Sequence, residues 1–183
     1  RYGNFQAVDH MAWDGLTNPY DGQSMGVFAE KTVEKYGFTR EEQDAYAIES
    51  VKRAQAAQAS GAFDGEIVPV RVATRKGEVE VASDEQPGKS DVGKIPGLKP
   101  AFKKDGTVTA ASSSSISDGA AATVLMSAEE AARRGLQPLA RIVGHSTFSH
   151  QPEWFTTAPV GAISNLLDKV GWQVGDVDLF EIN

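Results

Sequence analysis

Residues 39–60 carry the feature that most limits how this chain can fold. Thr39 followed three positions later by Glu42 is a capping box, in which side chains and backbone N–H groups bond reciprocally at a helix start. No Pro or Gly follows until Gly61, so the stretch predicts a helix about 30 Å long. One narrow, alanine-rich face suits close packing on a neighbouring helix, and it consists of Ala47, Ile48, Val51 and Ala54. We expect the opposite, charged face to be solvated.

Shorter patterns flank this helix. Apolar spacing in 25–38 predicts a helix that stops at Gly37. The alternating segments 66–72 and 77–83 predict a β-hairpin with Lys76–Gly77 in its turn, and Pro69 favours an edge position.

Residues 84–104 are rich in Gly, Pro and Lys and have no periodicity. A loop of this length in a compact protein is usually functional or disordered.

The last third alternates between strand and helix patterns. We expect strands at 106–110, 139–149 and 177–183, and an apolar run at 120–126 that is fit for burial.

Two helices are expected between these segments. "SAEEAARRG" has a second capping box, Ser127 with Glu130, and the helix before Gly171 has Pro159 in its first turn. The order β-α-β predicts a parallel sheet, whose ligands bind at the carboxyl ends of the strands, and Asn183 lies at such an end.

Composition excludes several classes of site. The net charge of −7 argues against a nucleic-acid surface, and no apolar run reaches the length of a membrane span. The absence of cysteine excludes disulfides, thiolate metal sites and a thiol nucleophile within these residues. The three histidines have no partner at metal-ligand spacing. The chain also begins without Met and stops after a strand-like run, so we expect a piece of a longer protein.

Four serines, Ser112 to Ser115, separate two apolar runs. One interpretation is an ordered loop beside a ligand, and the other is a set of polar residues that satisfy a buried turn. None of these four serines lies in a Gly-x-Ser-x-Gly elbow, so a serine nucleophile is not expected among them.

Three blocks then carry a family resemblance: "MGVFAEKTVEKYGFTREEQDAYAIESVKRAQAAQASGAFDGEIVPV", "DGTVTAASSSSISDGAAATVLMSAEEAARRGLQPLARIVG" and "APVGAISNLLDKVGWQVGDVDLFEIN". In this order they resemble the middle of a thiolase, an acetyl-CoA C-acyltransferase. The resemblance implies a partial α/β thiolase-like fold. Residues 1–116 would form the inserted α+β loop domain that covers coenzyme A, 117–137 would close the N-terminal half, and 138–183 would open the C-terminal half with its βαβ unit.

The resemblance also implies the chemistry. Thiolases transfer acyl groups between coenzyme A thioesters through a cysteine acyl-enzyme, by Claisen condensation of acetyl-CoA or thiolytic cleavage of 3-ketoacyl-CoA. The family places its nucleophilic cysteine before residue 1, and its acid/base cysteine and Gly-His-Pro histidine after residue 183. Coenzyme A or acyl-CoA is a substrate, and no permanently bound cofactor is implied. Asn183 matches the family asparagine that holds a water of the oxyanion hole; alternatively it is a strand-end residue.

Eight further positions match coenzyme A contacts of the family: Leu16, Ser24, Met25, Lys89, Phe102, Ala110, Ser114 and Phe155. Ser114 would contact the pantetheine arm, and Phe155 follows Trp154 where other thiolases carry Val-Met beside the acyl group. Ser24 stands where several thiolases carry His. Lys89 would attract phosphate, since Pro87 stands where some members have Arg; otherwise it is simply solvated. The apolar matches, taken alone, are more often core residues.

The implied partners are an acyl-CoA substrate and further copies of the protein, as a homodimer or homotetramer, together with the remaining parts of the same polypeptide. Neither nucleic acid nor membrane is expected, and cytoplasm is the default location. Two alternatives stay open: another condensing enzyme of the thiolase superfamily, such as a ketoacyl synthase, and a non-catalytic coenzyme A or acyl-binding module. A cysteine upstream of residue 1 would favour an enzyme.

Overall fold

The computed structural model describes residues 2–182 of the chain. Within that range the α-helices are α1 (Met25–Tyr36), α2 (Arg40–Ala59), α3 (Gln86–Lys89), α4 (Ala128–Arg133) and α5 (Ala158–Val170). The strands are β1 (Val70–Thr74) and β2 (Gly77–Val81). A π-helical turn spans Met11–Gly15, and 3-10 turns span Val92–Gly97, Ala110–Ser112, Pro152–Thr157 and Val174–Asp176. No helix of the described range is long and apolar enough to cross a membrane.

The chain divides into two compact units. One consists of residues 29–115, and the segments before and after it group in the other. The division at 116 and 137 that the resemblance implies stays a prediction.

Helix α2 organises the unit of residues 29–115, and its start confirms the capping box. Thr39 Oγ1 accepts the Glu42 N–H at 3.2 Å, and the Glu42 carboxylate accepts the Thr39 N–H at 2.8 Å. Ala47 is buried and the Glu49 face is exposed, as expected. Helix α2 packs against α3 and against the 3-10 turns Val92–Gly97 and Ala110–Ser112, so its one α-helical neighbour among these is a single turn long.

The segment 84–104 is ordered, because side chains of α2 hold its backbone. Gln55 Nε2 donates to the carbonyls of Pro87 and Ser90, at 2.7 and 3.1 Å. Gln58 Nε2 donates to the Asp84 carbonyl at 2.6 Å. These bonds supply partners that a segment without periodic structure cannot supply itself.

A third set of hydrogen bonds to the segment comes from Arg40, at the start of α2. Arg40 donates to the carbonyls of Ile95 and Leu98, at 3.2 and 2.9 Å, and its Nε lies 2.8 Å from the Asp44 carboxylate. Ile95 is 3% exposed, so Arg40 bonds to the backbone of a buried residue of this segment.

Strands β1 and β2 form the predicted antiparallel hairpin, although β1 starts only after Pro69. Thr74 pairs with Gly77, so the connection is Arg75–Lys76 and the expected Lys76–Gly77 turn is wrong by one residue. Gly77 has φ 121°, a conformation that residues with a side chain rarely adopt.

In the other unit, both predicted helices form. Helix α5 has Pro159 in its first turn and ends at Gly171, whose φ of 73° completes a left-handed cap. Ser127 caps α4 by accepting the Glu130 N–H at 3.1 Å. The Glu130 side chain bonds to Arg133 instead of to the cap backbone, so the expected reciprocal box is only half formed.

The strands expected at 106–110, 139–149 and 177–183 do not form within residues 2–182, and the apolar run 120–126 is exposed. The hairpin is the one sheet of the described range, so the parallel pairing expected around α5 is absent there. The physical reason is that an extended segment becomes a strand only when a neighbour satisfies its backbone. Leu179 is 88% exposed, and its apolar surface is not covered by this chain.

The segment before α5 instead packs along that helix. Ser146 Oγ donates to the Ala162 carbonyl at 2.6 Å, and Lys169 Nζ donates to the His145 carbonyl at 3.0 Å. A Cβ on Gly161 would lie 2.5 Å from the Phe148 ring, so glycine is required for this close approach.

Candidate functional site

The serine-rich segment begins with a tight turn around Thr109, which is 0% exposed. Thr109 Oγ1 accepts the Ala111 N–H at 3.2 Å, and Ser112 Oγ accepts the Thr109 N–H at 2.9 Å. Ser113 Oγ donates to the Thr109 carbonyl at 2.8 Å. Ser112 and Ser113 therefore satisfy the backbone of a buried turn, which is the simpler of the two interpretations.

Ser114 differs from these two serines. Its hydroxyl has no hydrogen-bond partner among residues 2–182, and it borders an open cavity of about 660 Å³. A hydroxyl held at a cavity rim by its neighbours' hydrogen bonds is available to a ligand as both donor and acceptor.

This first cavity lies between α1, α2 and the turn of residues 109–115, which we call the serine turn. Its lining is mainly apolar and includes Ala29, Val33, Phe38, Tyr46, Ala47, Val51 and Val108, with Ser112, Ser113 and Ser114 from the turn. An apolar wall with a few polar groups at one side is the usual composition of a small-molecule site.

A second open cavity of about 500 Å³ lies between α2, the segment 84–98 and the serine turn. It shares Ser50, Val51, Ala111 and Ser113 with the first cavity, so the serine turn contributes to both. Its lining includes two predicted contact residues, Lys89 and Ala110.

Two lysines border the second cavity, and each is paired. Lys89 Nζ lies 2.7 Å from the Glu85 carboxylate, and Lys94 Nζ lies 3.3 Å from Asp91. All four side chains are largely exposed, so these pairs are weak and an anionic ligand can compete for the lysines.

The remaining predicted contacts fall elsewhere. Phe102 is 40% exposed and borders neither cavity. Leu16 and Met25 are joined by a backbone hydrogen bond of 2.9 Å, and Ser24 forms a β-bridge with Thr17; these residues belong to the other unit.

Phe155 is half-buried in the turn Pro152–Thr157, also in the other unit. His150 Nε2 lies 2.7 Å from the Trp154 carbonyl and 3.1 Å from Thr157 Oγ1, so this histidine fastens the turn. Asn183, the expected oxyanion-hole residue, lies outside the described residues. Within the described range no cluster of His, Asp and Glu has metal-binding geometry.

Sequence reasoning missed Glu30, which is 6% exposed. Its carboxylate accepts the backbone N–H groups of Thr107 and Val108, and this holds the chain that leads into the serine turn. A signal was present, because Glu30 lies three residues after Val27 and three before Val33, on the apolar face of α1.

Comparison with known families shows which family the chain belongs to. Residues 1–129 match the family described as thiolase, N-terminal domain, and residues 136–183 match thiolase, C-terminal domain. The chain belongs to the thiolase family.

Individual thiolases are similar in sequence to this chain along its whole length. The acetyl-CoA acetyltransferase of Rhizobium meliloti is 47% identical over 185 aligned positions, which cover 100% of this chain and 47% of that protein. The probable acetyl-CoA acetyltransferase of Dictyostelium discoideum is 46% identical and is covered to 44%. The chain therefore spans about half the length of these thiolases.

Solved thiolase structures confirm the α/β thiolase-like fold. The acetyl-CoA acetyltransferase of Bacillus anthracis is 45% identical, with a TM-score of 0.92 over 98% of this chain and 46% of that one. The Acat5 thiolase of Ascaris suum, solved in complex with coenzyme A, is 43% identical, with a TM-score of 0.89 over 100% of this chain and 47% of that one.

Proposed function

We propose that the protein containing this chain transfers acyl groups between coenzyme A thioesters, either joining two acetyl-CoA molecules or cleaving 3-ketoacyl-CoA with coenzyme A. The observation that carries the proposal is the serine turn, where Ser114 presents an unpaired hydroxyl to an apolar cavity. A fold shared at a TM-score of 0.89 with a thiolase solved in complex with coenzyme A supports it.

The unit of residues 29–115 contributes the binding part of this function. Coenzyme A combines an amide-bearing pantetheine arm with a phosphorylated nucleotide. Ser114, at the first cavity, can bond to an amide of the arm, and the small Ala110 borders the second cavity. Lys89 and Lys94 border the second cavity and supply positive charge for phosphate.

The chemical step needs groups beyond these residues. A cysteine thioester would divide the transfer into two easier steps, and the chain has no cysteine, so the nucleophile belongs to another part of the polypeptide. Claisen condensation passes through an enolate, whose oxygen requires preset donors. Asn183 would hold one such donor, a water. Leu16, Ser24, Met25, Phe102 and Phe155 remain proposed contacts to the substrate. We further propose a homodimer or homotetramer.

The test is an assay of the full-length protein with acetoacetyl-CoA and coenzyme A. We expect acetyl-CoA to form, and a longer 3-ketoacyl-CoA to be cleaved if the acyl site is wide. Coenzyme A binding by calorimetry without any turnover would indicate a binding module instead. If the protein turned over no 3-ketoacyl-CoA and also bound no coenzyme A, the proposal would be contradicted altogether.

A further inference from the structure

Glu30 places a negative charge in the interior of the unit of residues 29–115. Its two carboxylate oxygens lie 2.9 and 3.1 Å from the Thr107 N–H, and Oε1 also accepts the Val108 N–H at 2.8 Å. The residue is 6% exposed. A buried carboxylate is tolerated only when such donors replace water, and hydrogen bonds to a charged acceptor are about twice as strong as neutral ones.

Gly106 shows how closely the carboxylate approaches the backbone. A Cβ built on Gly106 would lie 2.2 Å from Glu30 Oε1 and 2.7 Å from its carboxyl carbon. Any side chain at this position would displace the carboxylate from the two N–H groups, so the contact depends on both residues.

A second helix holds the same segment. Gln43 Nε2 of α2 donates to Thr107 Oγ1 at 2.9 Å and to the Thr39 carbonyl at 3.0 Å. Residues 107 and 108 are thus fixed between α1 and α2, directly before the buried Thr109 on which the serine turn is built.

We propose that Glu30 is a positioning residue for coenzyme A: by fixing the backbone of Thr107 and Val108, it sets where the serine turn presents Ser114 to the cavity. This inference rests on the proposed function. Glu30 itself touches no substrate. Removal of the Glu30 carboxylate lets the segment before the serine turn move, and this weakens binding of coenzyme A.

The first experiment compares Glu30→Ala, Glu30→Gln and a matched control, Glu34→Ala, in the full-length protein. Glu34 lies one turn later on α1, is exposed, and has no hydrogen bond within the described residues. We expect Glu30→Ala to raise the Kd of coenzyme A and its KM about tenfold, the loss of roughly one charged hydrogen bond. Glu30→Gln, which keeps one acceptor oxygen, should raise them about threefold. The control should change neither.

Two readouts separate positioning from a general loss of structure. The kcat, referred to the folded fraction, should stay within about twofold, because Glu30 does not contact the reacting atoms. Amide hydrogen exchange should accelerate at Thr107 and Val108 in Glu30→Ala and stay unchanged in Glu34→Ala.

A double-mutant cycle with Gly106→Ala provides an independent test, since it moves the carboxylate without removing it. Gly106→Ala should weaken coenzyme A binding when Glu30 is present and have little further effect in Glu30→Ala. Additive effects, or an unchanged Kd in Glu30→Ala, would overturn the inference while leaving the proposed function intact. If the unmutated protein bound no coenzyme A, the proposed function would fail; exchange at Thr107 would then still report whether Glu30 fixes the segment.

Discussion

Four neighbouring serines have different surroundings in this thiolase chain. Ser112 and Ser113 bond to the backbone of Thr109, whereas Ser114 has no partner among residues 2–182 and borders a cavity. Identical side chains in one short segment therefore differ: Ser112 and Ser113 bond to the backbone of the turn, and Ser114 borders the first cavity.

This division leads to a paired prediction. Ser112→Ala removes the acceptor of the buried Thr109 N–H and should lower the free energy of unfolding by about 1 kcal/mol. Ser114→Ala should leave it within about 0.5 kcal/mol and weaken coenzyme A binding several-fold. Urea unfolding and calorimetry measure the two effects. An equal loss of stability in both variants would contradict the assignment.

The sequence predicted an ordered serine loop and, through the family resemblance, a contact from Ser114, but not which serines bond to the backbone of Thr109. The spacing of apolar residues on both sides indicated a segment held in place. The direction of each hydroxyl depends on the backbone angles of the turn around Thr109, and those angles have no periodic signature. Glu30 was missed for a related reason, because its partners at Thr107 and Val108 lie 77 and 78 positions away.

At the scale of elements, α2 combines a strong start with polar side chains on its inner face. The Arg40–Asp44 pair lies within that face, where the side chains are 20% and 9% exposed. The Arg53–Glu49 pair has the same spacing on the outer face, where they are 79% and 57% exposed. The helix thus carries its own internal comparison between a buried and a solvated ion pair.

Asp44→Ala should lower the free energy of unfolding by about 3 kcal/mol, because it leaves the Arg40 guanidinium largely desolvated without its carboxylate. Glu49→Ala, the matched change on the outer face, should cost less than about 0.5 kcal/mol. Chemical unfolding of both variants provides the measurement. Similar costs would show that burial of the inner pair has no energetic consequence.

Helix α4 gives a prediction about pH. Hydrogen bonds from Arg133 and then Arg134 hold the pKa of Glu130 below its ordinary value. The contribution of the ionised Glu130 to folding stability is therefore complete above the ordinary carboxyl pKa. It is lost as the pH falls through the lower pKa of the folded state. Arg133→Ala should shift the Glu130 titration upward in an NMR experiment on side-chain carboxyls. An unchanged midpoint would rule out this cause.

Element boundaries were predicted well where local signals set them. The capping box at Thr39 and the left-handed glycines at Gly37 and Gly171 mark helix ends through contacts within a few residues. The three expected strands that do not form within residues 2–182 had strand-like composition but required partners from elsewhere. A pattern along one segment cannot supply those partners.

At the scale of the whole molecule, the family was predictable from sequence, and the predicted division at 116 and 137 stays a prediction. Long blocks in a fixed order identified a thiolase, and both family domains match. One limit of the compact units falls inside α1, which begins in one unit and ends in the other, and no pattern in the sequence marks that point. Compactness follows contacts in space, which a one-dimensional division does not record.

The grip of α2 on the segment 84–98 has one further consequence. Arg40, Gln55 and Gln58 recognise carbonyl oxygens, and every amino acid carries the same carbonyl. Exposed amino acids along that segment, unlike the buried Ile95, can thus be exchanged without breaking its hydrogen bonds to the helix. Lys89 and the exposed residues beside it border the second cavity on a backbone that α2 holds in place, which suits this region to the redesign of affinity by substitution alone.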